Sequence, residues 1–295
     1  MQKTLHNIVF LLLLLTFSIL TQSRAEALKV GLVEGASQTY IASSTDAIIT
    51  NAHTNKIICR LDGMKFYTLK AHPNTIGIVI SGKEYDLGTN TLSVKSENGF
   101  LSTKKRWYRG DFLIKNQSNT ITIINNVQLE DYLMGVVPSE MPSKWNEEAL
   151  KAQAIAARSY AIANMGKHAS KGYDLKDNTE DQVYGGATSE TAKTNKVVMD
   201  TQGIVVTYDH KIIPAYYHAS AGGVTNNSGG LWYKDLPYLK SVPAFDDGIK
   251  RMGHGVGMSQ YGANNLASQG YNAYQILSYF YNNIKFGKLS LDWSL

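Results

Sequence analysis

What most constrains this fold is a change of period near residue 127. From Ala27 to about Val127 the chain runs in short apolar stretches broken by Gly, Asn, Ser and Asp, as at residues 28–33, 57–61, 76–80 and 121–124. Such runs, with turns every eight to twelve residues, predict an antiparallel β region. Residues 107–124 read as a hairpin closed around Asn116-Gln117-Ser118-Asn119. Beyond it the spacing is helical: Leu129, Tyr132, Leu133, Val136 and Val137 recur at i, i+3, i+4, i+7 and i+8. A first helix is expected over residues 128–137, ended by Pro138, which removes a donor and biases Val137 away from helix. A second helix is expected from Glu147 to Lys167, capped by Ser143 or Asn146. Its seven alanines between 149 and 163 let neighbours approach closely, which suits a central, buried helix. A polar loop over 172–186, strands at 203–208 and 211–217, a Gly- and Asn-rich loop over 222–230 and helices at 259–268 and 273–281 complete the reading. The fold class is α+β: an antiparallel β-rich part over 26–127, then a helix-containing α+β part over 128–290 around the active-site groove. The boundary at 127 is either a division between two parts or a change of secondary structure within one body.

The first 25 residues stand apart. Lys3 supplies a positive start, an apolar run occupies residues 8–20, and Ser23-Arg24-Ala25 offers small residues for cleavage, the pattern of a secretory signal peptide. The run is shorter than the roughly 20 residues of a membrane span, so no stable span is expected after cleavage. The remainder is long enough for a proper core without staples. Cys59 is the only cysteine, which excludes an intrachain disulfide or a thiolate metal cluster. An exported chain without bridges fits a bacterial envelope or periplasm better than a disulfide-dense scaffold. The formal net charge of +5 is dispersed, which suits loose attraction to an acidic polymer and does not argue for nucleic acid.

Four clusters could carry chemistry. In Val136-Val137-Pro138-Ser139-Glu140-Met141-Pro142 one carboxylate lies between two prolines, expected just past a helix C-terminus. The negative end of the helix dipole and the weakly solvating Met141, Pro142 and Trp145 would raise its pKa, as a proton donor near neutral pH requires. Pairing with Lys144 is the bland alternative. The others are Asp181-Gln182-Val183-Tyr184-Gly185-Gly186, Tyr217-His218-Ala219-Ser220-Ala221-Gly222-Gly223, and Gly253-His254-Gly255-Val256-Gly257-Met258-Ser259-Gln260-Tyr261-Gly262. The last lacks the closing glycine of a nucleophile elbow and the Lys-Ser of a phosphate loop. His218 and His254 have no third ligand at a recognisable spacing, so no metal or other cofactor is expected.

The order of these motifs, with the helix Glu148-Ala149-Leu150-Lys151-Ala152-Gln153-Ala154-Ile155-Ala156-Ala157-Arg158-Ser159-Tyr160-Ala161 between them, closely resembles the stage II sporulation protein D (SpoIID) family, whose domain is shared with the LytB amidase enhancers. The resemblance runs from about Leu28 to Lys285. It implies action on peptidoglycan, as a lytic transglycosylase that cuts glycan strands stripped of stem peptides. Glu140 would be the single catalytic acid/base, protonating the glycosidic oxygen and then deprotonating the muramic acid 6-hydroxyl. Such chemistry needs one carboxylate where most glycosidases need two; Glu130 and Asp131 are expected on the solvent face of their helix. Substrate contact is implied for Gln182, Tyr184, His218, Ser220, His254 and Gln260, and a structural pairing is favoured for Arg158. The partners implied are glycan strands and, in the rival reading, a cell-wall amidase that a non-catalytic glycan-binding module would stimulate. Two departures stand out. The loop 173–180 lacks the Cys and His of the zinc site that some relatives carry, and residues 244–252 replace a segment several dozen residues longer in many relatives.

Overall fold

The computed structural model describes residues 27–232 and 235–289, so the expected signal peptide lies outside the described residues. Twelve strands fill the first part: β1 (Leu28–Ala36), β2 (Gln38–Ser43), β3 (Ala47–Asn51), β4 (Ile57–Leu61), β5 (Phe66–His72), β6 (Thr75–Ile80), β7 (Lys83–Asp86), β8 (Thr91–Ser96), β9 (Leu101–Thr103), β10 (Arg106–Tyr108), β11 (Asp111–Gln117) and β12 (Thr120–Val127). Two antiparallel sheets result, ordered β1-β12-β11-β8-β3-β4 and β10-β9-β2-β5-β6-β7. Alternation makes them: in β11 Phe112, Ile114 and Asn116 turn inward while Leu113 and Lys115 do not. The β11–β12 hairpin closes through Ser118 and Asn119, both with positive φ, a conformation that matches the twist of the flanking strands. Its first strand starts at Asp111, later than the spacing predicts, because Gly110 turns the chain with φ 77°. Trp107 and Tyr108 belong instead to β10 of the second sheet.

The second part opens with α1 (Leu129–Glu140) and α2 (Glu147–Ala163). Contrary to expectation, α1 does not stop before Pro138 but runs through it to Glu140. A proline in the last turn forfeits only one helical hydrogen bond, its own to the Met134 carbonyl, and the neighbouring Gly135 carbonyl ties the turn to the loop that follows. Gly135 O accepts from Ser139 Oγ at 2.7 Å, Ser189 Oγ at 3.0 Å and the Gly185 amide at 3.2 Å. Helix α2 is capped by Asn146, whose side chain accepts from the Glu148 amide, and is buried almost throughout from Ala149 to Ile162.

After the short β13 (Leu175–Lys176), which adds to β1 in parallel, comes α3 (Ala192–Asp200), a helix the sequence reading missed. Strands β14 (Ile204–Tyr208) and β15 (Lys211–Ile212) follow, then β16 (Tyr217–His218) and the five-residue α4 (Ser228–Trp232). Last come β17 (Met258–Ser259), which pairs in parallel with β16, α5 (Gln260–Ser268), α6 (Ala273–Phe280) and β18 (Lys285–Lys288). Observed elements agree with the α+β class. No described helix is long and apolar enough to cross a membrane.

Arg158 ties the second part together. Wholly buried on α2, it is gripped by Glu130 of α1 at 2.9 and 2.6 Å and donates to the carbonyls of Ile204 at 3.1 Å and Val198 at 3.3 Å. Glu130 also accepts from the Gly203 amide at 3.1 Å. The expected structural pairing of Arg158 is present, but Glu130 is not on a solvent face as predicted; a guanidinium this deep requires a carboxylate beside it. Asp131 is more open and lies 3.9 Å from Arg109.

Candidate active site

Glu140 is the last residue of α1, half-buried, where the chain turns into the Met141–Pro142 bend. Three donors from separate segments converge on its carboxylate: the Val183 amide at 2.6 Å, the Tyr217 hydroxyl and the Gln260 amide side chain. Burial pushes the Glu140 carboxyl up from the usual carboxylate range, and the three hydrogen bonds pull it down without cancelling that rise. None of the three is charged. An acid that keeps its proton at higher pH than an exposed glutamate, and whose anion still has donors waiting, can both give and take a proton.

Each donor is placed by its own element. Val183 is brought in by the loop after β13, which lies against α1 at a point where only glycine fits. A Cβ on Gly135 would meet the Tyr184 ring at 2.6 Å and the Gly186 amide nitrogen at 3.0 Å. Tyr217 comes from β16, and Gln260 opens α5, whose N-cap Ser259 accepts from the Gly262 amide. Asp246, fully buried in the short 244–252 segment, fastens these last two segments. It accepts from Ser220 Oγ (3.0 Å), Ser259 Oγ (2.6 Å) and the amides of Ala221 (2.6 Å) and Gly223 (2.7 Å).

The predicted residues fall into four groups. Gln260 reaches Glu140 and also Gln153 Oε1 at 3.3 Å. Gln182 lies one shell behind: it is wholly buried and hydrogen-bonded to Tyr217, Ala157 and Tyr132. His254 and His218 form a tilted ring pair 5.5 Å apart on the other side of Tyr217's strand. His254 Nδ1 accepts from the Val256 amide and the ring donates to the Tyr217 carbonyl, so its tautomer is set. Burial and then the neighbouring His254 pull His218 down to about 4, and its Nδ1 pairs with Val256 O at 3.1 Å.

Tyr184 and Ser220 are placed elsewhere. Tyr184, 1% exposed, packs on Tyr132 and Tyr108 and bonds Asn125 Oδ1 at 3.0 Å. Ser220 is spent on Asp246. Both hydroxyls are committed inside the fold, so what they offer the site is support. Tyr217 is the residue sequence reasoning missed, although its motif was in view. In a strand, neighbours point to opposite faces, and it is the residue before the histidine that meets Glu140.

The other acidic candidates are accounted for by ion pairs. Glu148 accepts from Lys151 at 2.8 Å and the Ala273 amide at 2.8 Å. The Asp181 side chain is buried and bonds Lys167 at 2.6 Å, His168 at 2.8 Å and the Lys176 amide at 2.8 Å. These contacts close the 173–180 loop without a metal. Among the described residues no cluster of three or more His, Cys, Asp or Glu could hold a metal ion, so a resident zinc does not fit the donors present.

Comparison with known proteins supports the resemblance read from the motifs. Residues 117–208, which include Glu140, Gln182 and Tyr184, match the SpoIID family profile, described as stage II sporulation protein. A stage II sporulation protein D of Bacillus subtilis is 36% identical over 172 residues, 51% of this chain and 50% of that protein. An amidase enhancer of the same organism is 45% identical over 107 residues, 36% of this chain and 14% of that protein. An uncharacterized protein of Brachyspira hyodysenteriae is 31% identical over 176 residues, covering 59% of this chain and 47% of its own length. The chain thus spans about half the length of the stage II protein and of the Brachyspira protein.

Proposed function

With a SpoIID-family match over residues 117–208 as the premise, we propose that this protein is an exported cell-envelope enzyme that cleaves peptidoglycan glycan strands as a lytic transglycosylase. The observation that carries the reading is Glu140: one half-buried carboxylate with a raised pKa, surrounded by neutral donors. Protonated, Glu140 gives its proton to the oxygen between the muramic acid C1 and the leaving sugar as the C1–O bond breaks. The resulting carboxylate then takes the proton of the muramic acid 6-hydroxyl as O6 closes on C1. An anhydro ring forms, no water is consumed, and the carboxyl is restored. Val183, Tyr217 and Gln260 stabilise the anion between the two steps, which one residue can perform because the strand supplies its own nucleophile.

A second reading draws on the 45% identity to an amidase enhancer: a non-catalytic module that binds glycan and stimulates an N-acetylmuramoyl-L-alanine amidase. Denuded glycan strands incubated with the protein and with its Glu140→Gln variant separate the two by mass spectrometry of the products. The lytic reading expects anhydro-muramic ends from the parent, and a fall of about two to four orders of magnitude in the variant. No products from a folded, glycan-binding parent would sink it. Undiminished amidase stimulation by the Glu140→Gln variant would then support the enhancer.

A further inference from the structure

We infer that Gln182 is a positioning residue that fixes the direction of the Tyr217 hydroxyl hydrogen, so that Tyr217 can only donate to Glu140. Where this bears on turnover it rests on the acid/base reading above; the hydrogen-bond geometry stands apart from it. Gln182 is 0% exposed and every end of its amide is engaged. Its Nε2 donates to the Ala157 carbonyl at 3.3 Å and to the Tyr217 hydroxyl at 2.8 Å, while Oε1 accepts from the Tyr132 hydroxyl at 3.2 Å. A backbone carbonyl can only accept, so Ala157 O settles which end of the amide is nitrogen. The Tyr217 oxygen therefore accepts from Gln182 and keeps its own hydrogen for its other partner, Glu140. Tyr132, Gln182 and Tyr217 become a one-way series of donors ending on the carboxylate, each polarising the next.

The consequence lies at the carboxyl. The Val183 amide is incapable of accepting, and Tyr217 is held as a donor, so a proton on Glu140 has no place along either direction. The proton is thereby kept off the two bonds that Val183 and Tyr217 make to the anion. The titratable groups facing Glu140 are Tyr132 from α1, Tyr160 from α2 and Tyr217 from β16. All three phenols are pushed up by burial, out of the neutral range. Asp181, which acts on Tyr132 and Tyr160, is pushed up by burial but held lower overall by Lys167, the Lys176 amide and His168. None of these neighbours changes charge as Glu140, raised by burial, gains or loses its proton.

The test is a carbon-13 NMR titration of the protein labelled at glutamate carboxyls, with the Glu140→Gln variant identifying the resonance. Tyr217→Phe should favour protonated Glu140 by about ten- to a hundredfold at a given pH, the worth of one hydrogen bond to a charged group. Gln182→Met should move it the same way by a smaller factor, and should add nothing when Tyr217 is already Phe. Equal effects of Gln182→Met with and without Tyr217 would overturn the inference, as would no effect in the parent. Should Gln182→Met fail to fold, Tyr132→Phe decides, since it subtracts one hydroxyl and leaves the amide in place: an unmoved Glu140 resonance would overturn it. A resonance that moves as stated in a parent that cleaves no glycan would keep the hydrogen-bond assignment and sink the lytic reading. Cleavage by the parent with an unmoved resonance would do the reverse.

Discussion

Removing Glu130 should damage this protein far more than its place in the first turn of an amphipathic helix suggests. In Glu130→Ala the Arg158 guanidinium, 0% exposed, keeps only the Val198 and Ile204 carbonyls, and its counter-charge is gone. Breaking a buried pair by deleting one partner costs about 3–5 kcal/mol, because the other charge stays behind without compensation. The Gly203 amide also loses its acceptor, which places the cost in the upper part of that range. For a chain of this size each kcal/mol is about 2–4 °C in the melting midpoint, so the drop should be about 8–20 °C by calorimetry, with a matching fall in the urea midpoint. The paired change Glu130→Met with Arg158→Leu should recover much of the loss, since an apolar pair of similar volume avoids the desolvation of both ions. A Glu130→Ala protein within about 1 kcal/mol of the parent would refute the reasoning, and would mean that water or a rearranged carboxylate reaches Arg158.

Two further changes follow from the site's supports. Gly135→Ala should cost about 1–3 kcal/mol by overpacking and lower activity as well, because the Cβ drives the Tyr184 loop, and with it the Val183 amide, off α1; thermal melting and product formation check the two effects separately. Between pH 6.5 and about 4 the protein should lose stability as the pH falls. His218 is held neutral in the fold, whereas an unfolded histidine takes up a proton in that window. Its share is about 3 kcal/mol at the acid end. The His218→Asn variant, which retains a donor for Val256 O, should show a flatter denaturation profile from pH 7 to 4, and an unchanged slope would count against the buried neutral assignment.

Periodicity carried most of the fold. The β region, α2 and the two C-terminal helices are long or strongly patterned, and their patterns name them. Helix α3 was missed because Ala192–Asp200 is polar and short, and what announces it is a capping box between Thr191 and Thr194. Pro138 misled for another reason: a proline in the last turn forfeits only its own bond, to the Met134 carbonyl, and the helix runs two residues past it. At the site, Glu140 could be singled out from its own neighbours. Of its partners only Gln260 was marked beforehand, through its motif; Val183 and Tyr217 were not, since the three meet only through tertiary packing. Motif membership marked Gln182 and Tyr184 for substrate contact, while burial gave both to the interior.

The first strand has a consequence for the order of assembly. Strand β1 is bonded along one edge by β12 and along the other, at Val30 and Gly31, by Leu175 and Lys176. Both neighbours are made later, one about 90 residues on and the other about 145. As the chain emerges N-terminus first, Leu28–Ala36 must wait with both hydrogen-bonding edges open until its partners arrive. An early segment held unpaired is the kind that aggregates or needs guarding. Contacts this distant in sequence also slow the search for the native pairing.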